Sequence, residues 1–345
     1  MEAEEYLQIM LEIAGSIVAG LLVAALILML TGYDPWQGLY TMFIGGLSDP
    51  DYLLSRSSLI MMTGLAFAIP ALASAFNIGG EGQMYVGGMV ALVVSLLTKN
   101  AFLSILFGSL AGGGLGLLIG ALRAYRQVNE VITAIMLNWI FYYLSIYLIT
   151  AYYYNPIAPY RSLSVPEEAQ LGTITLFNAR LHVTFFISLA LSLIAYFLVF
   201  YTKLGYQIRV SGLSQDSARY AGIKPERTFT YSMAIGGIFG GLSGALNVIA
   251  FTYYIDQLLT SMFGMGFDGI GVALMGRNNP IGIVLSSIFF SILLLGGQRM
   301  QIAMNIPKEL TDALSGVIII ALAMPYAYRM LFSYLRVRRL MRVAK

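Results

Sequence analysis

Cysteine is absent from the 345 residues and histidine occurs once, at His182. No disulfide framework or thiolate chemistry can be built from this chain, and a lone histidine outside any cluster of ligand type argues against a zinc or redox-metal centre. Charge is scarce as well: Asp, Glu, Lys and Arg make up 11% of the residues, far below the quarter or so of an ordinary soluble domain. No Gly-Lys pair occurs, so the lysine of a phosphate-binding loop is missing and the chain cannot itself be an ATPase of that type. Isolated acids and one histidine also fail to supply the paired carboxylates or Ser/His arrangement of a hydrolase.

What is abundant is apolar. Hydrophobic residues make up 58% of the chain and the mean hydropathy is +0.77, which predicts an integral membrane protein. Among the aromatics are 23 Tyr, a residue that favours the membrane interface. A crossing helix needs about 20 apolar residues. On that criterion about ten spans are expected, near 12–31, 54–76, 80–98, 101–122, 130–152, 182–202, 228–251, 264–276, 280–296 and 310–329. The fold expected is all-α, a single transmembrane domain over residues 1–345. Glu2, Glu4, Glu5 and Glu12 precede or open the first span without a basic region, unlike a cleaved signal peptide. Cytoplasmic loops are enriched in Lys and Arg. With both termini cytoplasmic, most of the twenty basic residues fall on that side, including Arg123, Arg126, Lys203, Arg209, Arg219, Lys224 and the tail from Arg329 to Lys345. That tail either binds anionic lipid headgroups or anchors the topology.

Between the second and third spans lies a polar, glycine-rich heptapeptide, Asn77, Ile78, Gly79, Gly80, Glu81, Gly82 and Gln83. An ionised side chain at the bilayer centre costs at least about 2.5 kcal/mol, so it is found where it lines a cavity, pairs, or meets a solute. Glycines beside it let the backbone leave helical geometry, the form in which transporters present backbone groups to a solute. The substrate pathway is therefore expected at Asn77, Glu81 and Gln83, joined by Asn138, Trp139 and Asn247 from later spans. Each has a plainer role open to it. Glu81 would also cap its own half-helix, Asn77 and Gln83 would satisfy freed backbone groups, Asn138 would serve as interhelical glue, and His182 is expected to be structural. Glycines at 236, 240 and 244, with 237 and 241 beside them, and at 112, 116 and 120, leave helical faces of bare backbone that allow close packing.

Two hydrophilic loops complete the pattern. Residues 153–181, restricted by Pro156, Pro159 and Pro166, are expected on the outer side, as a vestibule or docking surface or as a plain connection. Residues 203–227 are expected on the inner side and contain one short helix: Ser214 as N-cap, Asp216 in the first turn, Gly222 as the stop.

Gly212 followed by Ser217, Ala218, Arg219, Tyr220, Ala221, Gly222 and Ile223 resembles the coupling segment of permease subunits of bacterial and archaeal ABC importers, in the branch for branched-chain amino acids, simple sugars and nucleosides. Phe76 with the heptapeptide and Gly87-Gly88, Asn129 to Thr133 with Met136 to Asn138, and Gly266 to Leu274 are similar to the permeases of that branch that work with lipoproteins of the basic-membrane-protein type and import nucleosides. The pattern departs at Ser214-Gln215 and Ser217-Ala218, where the family usually has Asn-Pro and Ala-Ala. The resemblance implies two inverted repeats, echoed by Glu81-Gly82 and Asp268-Gly269, and coupling to the ATPase through Ser214, Asp216, Ser217, Ala218, Arg219, Tyr220 and Gly222. It implies an ABC ATPase subunit that binds ATP and Mg, a second homologous permease or a second copy, and an extracellular substrate-binding lipoprotein. No cofactor on this chain and no nucleic acid are expected. Import of simple sugars such as ribose, and an ion-coupled secondary transporter with Glu81 as the protonatable group, are the alternatives.

Overall fold

In a hydrocarbon layer every backbone N–H and C=O has to be paired within the protein, so an apolar chain of this length folds as helices. The computed structural model describes residues 2–176 and 179–323. The end of the tenth expected span and the basic tail lie outside the described residues.

Thirteen α-helices are described: α1 Glu2–Leu30, α2 Pro35–Leu47, α3 Pro50–Ala71, α4 Gly80–Thr98, α5 Ala101–Arg126, α6 Glu130–Tyr152, α7 Val183–Tyr201, α8 Lys203–Leu213, α9 Gln215–Tyr220, α10 Pro225–Leu246, α11 Met265–Met275, α12 Pro280–Met304 and α13 Lys308–Ala323. Seven of these segments are long and apolar enough to cross a membrane: α3 to α7, α12, and α10 with the π-helical turn Asn247–Thr252 that continues it. The apolar part of α1, Gly15–Leu30, and α11 are shorter.

The fold departs from an all-α expectation in one place. Residues 153–181 were expected to be a loop, but the hairpin β1 Thr173–Leu176 and β2 Ala179–His182 pairs Ile174 with Leu181 within and just beyond them. Alternating Thr-Ile-Thr-Leu is a strand pattern that a search for long apolar runs passes over. α2 was missed for the same reason. At 13 residues it is below crossing length, although Asp34 caps it by accepting from the Trp36 and Gln37 amides and Pro35 opens it.

The chain divides into two units. Among the described residues, 2–50 with 289–323 form one, in which α1, α2, α13 and the end of α12 pack around Ala24, Leu28, Met42, Leu293, Met300, Leu314 and Ile318. Residues 51–288 form the other and contain every residue of the site described below. There α10 is the central helix, and its glycines meet two neighbours. A Cβ on Gly241 would sit 2.6 Å from the Gly108 carbonyl oxygen, and one on Gly112 would sit 2.5 Å from the Gly237 oxygen, so α5 and α10 touch backbone to backbone. Gly236 faces the Ala66 carbonyl of α3, and Gly240 faces Gln83 of α4. The two glycine runs read from the sequence are thus partners in one packing layer.

The boundary between α4 and α5 is a real turn. Lys99 takes a left-handed conformation (φ +53°) and Asn100 caps α5 by accepting from the Leu103 amide. Lys99 also lies 3.5 Å from Glu168. This turn therefore sits at the same end of the unit as the 153–182 segment.

Candidate functional site

Pro70 lies inside α3 and has no N–H, so the Ala66 carbonyl four residues earlier loses its helical donor. The Asn77 amide replaces it: Nδ2 donates to the Ala66 oxygen at 2.8 Å. The same side chain pairs with Gln83 through two bonds, Asn77 Nδ2 to Gln83 Oε1 at 3.2 Å and Gln83 Nε2 to Asn77 Oδ1 at 3.1 Å. The Gly79 amide donates to Asn77 Oδ1. Both side chains are buried. Asn77 thus satisfies freed backbone, and Gln83 holds the Asn77 side chain in place.

α4 starts at Gly80 with no side-chain cap on its own N-cap residue, Gly79. Asn138, from the middle of α6, takes that role in trans. Its Oδ1 accepts from the Gly82 amide at 2.9 Å and its Nδ2 donates to the Ile78 carbonyl at 3.1 Å.

Glu81 is 3% exposed and does not cap its own helix. Its Oε1 accepts from the Tyr85 hydroxyl at 2.6 Å and from the Gly264 amide at 2.5 Å, and its Oε2 accepts from the Gly266 amide at 2.7 Å. Gly264 (φ +85°) is the N-cap position of α11 and offers no side-chain cap. Glu81 thus supplies acceptor oxygens at the N-terminus of α11, where backbone amides have no partner within their own helix. The start of α4 and the start of α11 meet at one carboxylate.

Beside that carboxylate opens a pocket of about 350 Å³ of empty volume including its mouth, lined by Glu81, Tyr85, Ile135, Asn138, Trp139, Tyr142, Phe263 and Phe267. Tyr142 is the hub of its aromatic wall, with ring centroids 5.6 Å from Tyr85, 5.7 Å from Trp139 and 6.0 Å from Phe263. Trp139 is half exposed.

Of the expected pathway residues, Glu81, Asn138 and Trp139 line this pocket, while Asn77 and Gln83 form the support behind it. Asn247 is elsewhere, on the π-helical turn, where its Oδ1 accepts from the Ser261 hydroxyl at 3.1 Å. Ile135, Tyr142, Tyr85, Phe263 and Phe267 were not singled out from the sequence. Spacing carried a signal for some of them: Tyr85 is four residues beyond Glu81, and 135, 138, 139 and 142 fall on one helical face.

His182 packs against Phe251 with the rings tilted and their centroids 4.7 Å apart. Burial pushes its imidazole below the usual range, with Asp51 opposing, which suits a neutral packing role. Asp268 is partly buried in the first turn of α11. Among the described residues, no group of three or more acids or histidines is placed to hold a metal ion.

The 203–227 segment holds two helices where one was expected. α9 has the expected ends: Ser214 Oγ accepts from the Ser217 amide at 3.2 Å, Asp216 is in the first turn, and Gly222 follows with φ +76°. Ahead of it α8 is capped by Thr202, whose Oγ1 accepts from the Gly205 amide. Ala218 is buried, whereas Tyr220 is 95% and Leu213 88% exposed. Arg219 binds Glu226 at 2.7 Å and lies 3.6 Å from Asp216.

At the other end of the unit, the 153–171 segment is sewn to the chain after α10. The Ser162 amide donates to the Ile255 carbonyl, Val165 to Tyr253, and Leu171 to Ile249. The Arg161 guanidinium lies over the Tyr254 ring at 4.8 Å.

Residues 50–323 match the family model described as branched-chain amino acid transport system / permease component. The guanosine ABC transporter permease protein NupP of Bacillus subtilis (strain 168) is 30% identical over 335 residues, covering 93% of this chain and 95% of that protein. The nucleoside ABC transporter permease protein NupB of Lactococcus lactis subsp. cremoris (strain MG1363) is 30% identical over 331 residues, 90% of each chain. The glucose ABC transporter permease protein TsgB13 of Haloferax volcanii is 27% identical over 326 residues, 89% of this chain and 85% of that one.

Proposed function

Because the chain belongs to the branched-chain amino acid transport system / permease component family, we propose that it is the membrane-spanning subunit of an ABC importer that carries nucleosides. The observation that carries this reading is near end-to-end similarity, at 30% identity, to permeases named for guanosine and for nucleosides. The subunit moves solute and is not itself an enzyme. ATP and Mg belong to a partner ATPase, solute arrives from an extracellular binding lipoprotein, and a second permease, homologous or identical, completes the pore. The chain lies in the cytoplasmic membrane with about ten crossings in two inverted repeats and both termini inside.

In this reading α9 is the ATPase dock. It is a separately capped helix whose Tyr220 is almost fully exposed while Arg219 ties it to α10. Ser214, Asp216, Ser217, Ala218 and Gly222 shape and end it. Solute passes the pocket beside Glu81, where aromatic faces suit a nucleobase and Asn138 and Trp139 line the way. Asn77 and Gln83 hold the broken helix in place, and Asn247 acts from outside the pocket through Ser261.

Uptake of labelled guanosine, uridine and ribose into proteoliposomes tests the proposal. The chain is reconstituted with its co-purified ATPase and second permease, with ATP inside and binding protein outside. Nucleoside uptake that stops without ATP is expected. Ribose uptake alone would move the substrate to sugars, and uptake by this chain without ATPase would overturn the importer.

A further inference from the structure

The α8–α9 segment packs against α7 and α10, and near the end of α8 it also meets the turn that follows α3. The Gly212 carbonyl, near the end of α8, accepts a hydrogen bond from the Ser74 hydroxyl at 2.8 Å. The fit leaves no space for a side chain, since a Cβ on Gly212 would collide with the Leu72 carbonyl oxygen. Ser74 lies on the tight turn that ends α3, where the Ala73 and Ala75 amides both donate to the Pro70 carbonyl. Its φ of +57° is a left-handed conformation that glycine adopts freely and serine does not. What serine has and glycine lacks is the hydroxyl that holds Gly212.

From that joint, both directions of the chain lead to function. Two residues beyond Gly212, Ser214 caps α9. Three residues beyond Ser74 is Asn77, locked to Gln83, and Glu81 follows in the first turn of α4. A second tie ends at the same place. Arg219 grips Glu226 in the first turn of α10, and further along α10 a Cβ on Gly240 would stand 2.8 Å from Gln83 Oε1.

We propose that Ser74 is a positioning residue of the transport cycle: through its bond to the Gly212 carbonyl, displacement of α8 and α9 by the ATPase reaches the 74–79 connection and so Glu81 at the start of α4 and the aromatic pocket. This rests on the reading of α9 as the ATPase dock. The bond is exposed to water, so it contributes little to folding. Its loss is to be read in coupling.

The test compares Ser74→Gly, Ser74→Ala and Ser74→Asn in the full complex in proteoliposomes, measuring guanosine uptake and ATP hydrolysis together. Glycine removes both the backbone strain and the hydroxyl, alanine removes the hydroxyl alone, and asparagine tolerates the left-handed conformation while offering an amide donor to the Gly212 carbonyl. The expected result is a severalfold fall in solute moved per ATP for the glycine and alanine variants, with ATPase retained in the complex, and recovery with asparagine. Unchanged uptake per ATP in the glycine variant overturns the proposal. So does a loss confined to assembly, in which the surviving complexes of both variants couple normally. Tyr220→Ala separates the two readings. If it releases the ATPase while Ser74→Gly couples fully, only the joint fails. If it leaves the ATPase bound, the dock itself is misassigned.

Discussion

A carboxylate that accepts three hydrogen bonds, one from a hydroxyl and two from the backbone of another helix, is fixed by its surroundings before any solute arrives. Glu81 is in that position. Glu81→Gln keeps the volume but replaces one acceptor oxygen with a donor amide, which leaves an α11 amide without an acceptor. Leaving a buried donor unsatisfied costs about 1 to 3 kcal/mol, so a stability loss of about 2 kcal/mol is expected together with loss of uptake. Tyr85→Phe gives up one of the three donors and should cost about 1 kcal/mol. Thermal unfolding of the purified complex measures both. A Glu81→Gln protein that unfolds at the parental temperature yet transports nothing would show that the carboxylate serves solute and not α11. The sequence made Glu81 conspicuous, because an acid amid glycines between apolar spans is costly. It offered no way to see that the partners lie 183 and 185 residues away. Asn77 was more legible: Pro70 necessarily strands the Ala66 carbonyl, and a nearby polar side chain is needed to pair it.

Glycines were the most readable feature of the helices, because a four-residue repeat leaves one face bare wherever the helix goes. They are not equivalent, however. Gly241 has the Gly108 oxygen and Gly112 Cα within 3 Å of a would-be Cβ, whereas Gly114, on the same α5 as Gly112, has nothing within 4 Å. Gly241→Ala is expected to push α5 from α10 at a cost of about 1 to 3 kcal/mol, as overpacking does. Gly114→Ala should be neutral or stabilise by up to about 1 kcal/mol through helix propensity. Unfolding temperatures of the two variants, measured side by side, check the pair. The reverse order would mean that α5 and α10 do not pack through these faces. Elements that escaped the sequence did so for physical reasons. α2 is shorter than the span criterion, β1 and β2 alternate and so average to modest hydropathy, and one extra residue per turn in Asn247–Thr252 leaves an apolar run unchanged.

For the whole molecule, sidedness follows from how many helices separate two points. Only α7, with 19 residues of crossing length, lies between the 153–182 segment and the turn before α8. The Lys99–Glu168 contact ties the α4–α5 turn to the former end. At the other end, a Cβ on Gly120 would stand 3.0 Å from Thr230 Cα, which brings the end of α5 and the start of α10 together. Basic residues cluster at that second end, at Arg123, Arg126, Lys203, Arg219 and Lys224, as expected of a cytoplasmic face. A protein without cysteine makes this directly measurable, because any cysteine introduced is the one thiol to label. Glu168 and Lys224 are both exposed and both lie outside the spans. With a membrane-impermeant maleimide, Glu168→Cys is expected to react in intact cells and Lys224→Cys after permeabilisation. The two reagent-accessible faces would then be the side where a binding lipoprotein delivers solute and the side where an ATPase engages α9. Reaction of both from outside would mean that α7 does not cross. It would leave α9 on the wrong side for any cytoplasmic ATPase, and the importer reading would fall with it.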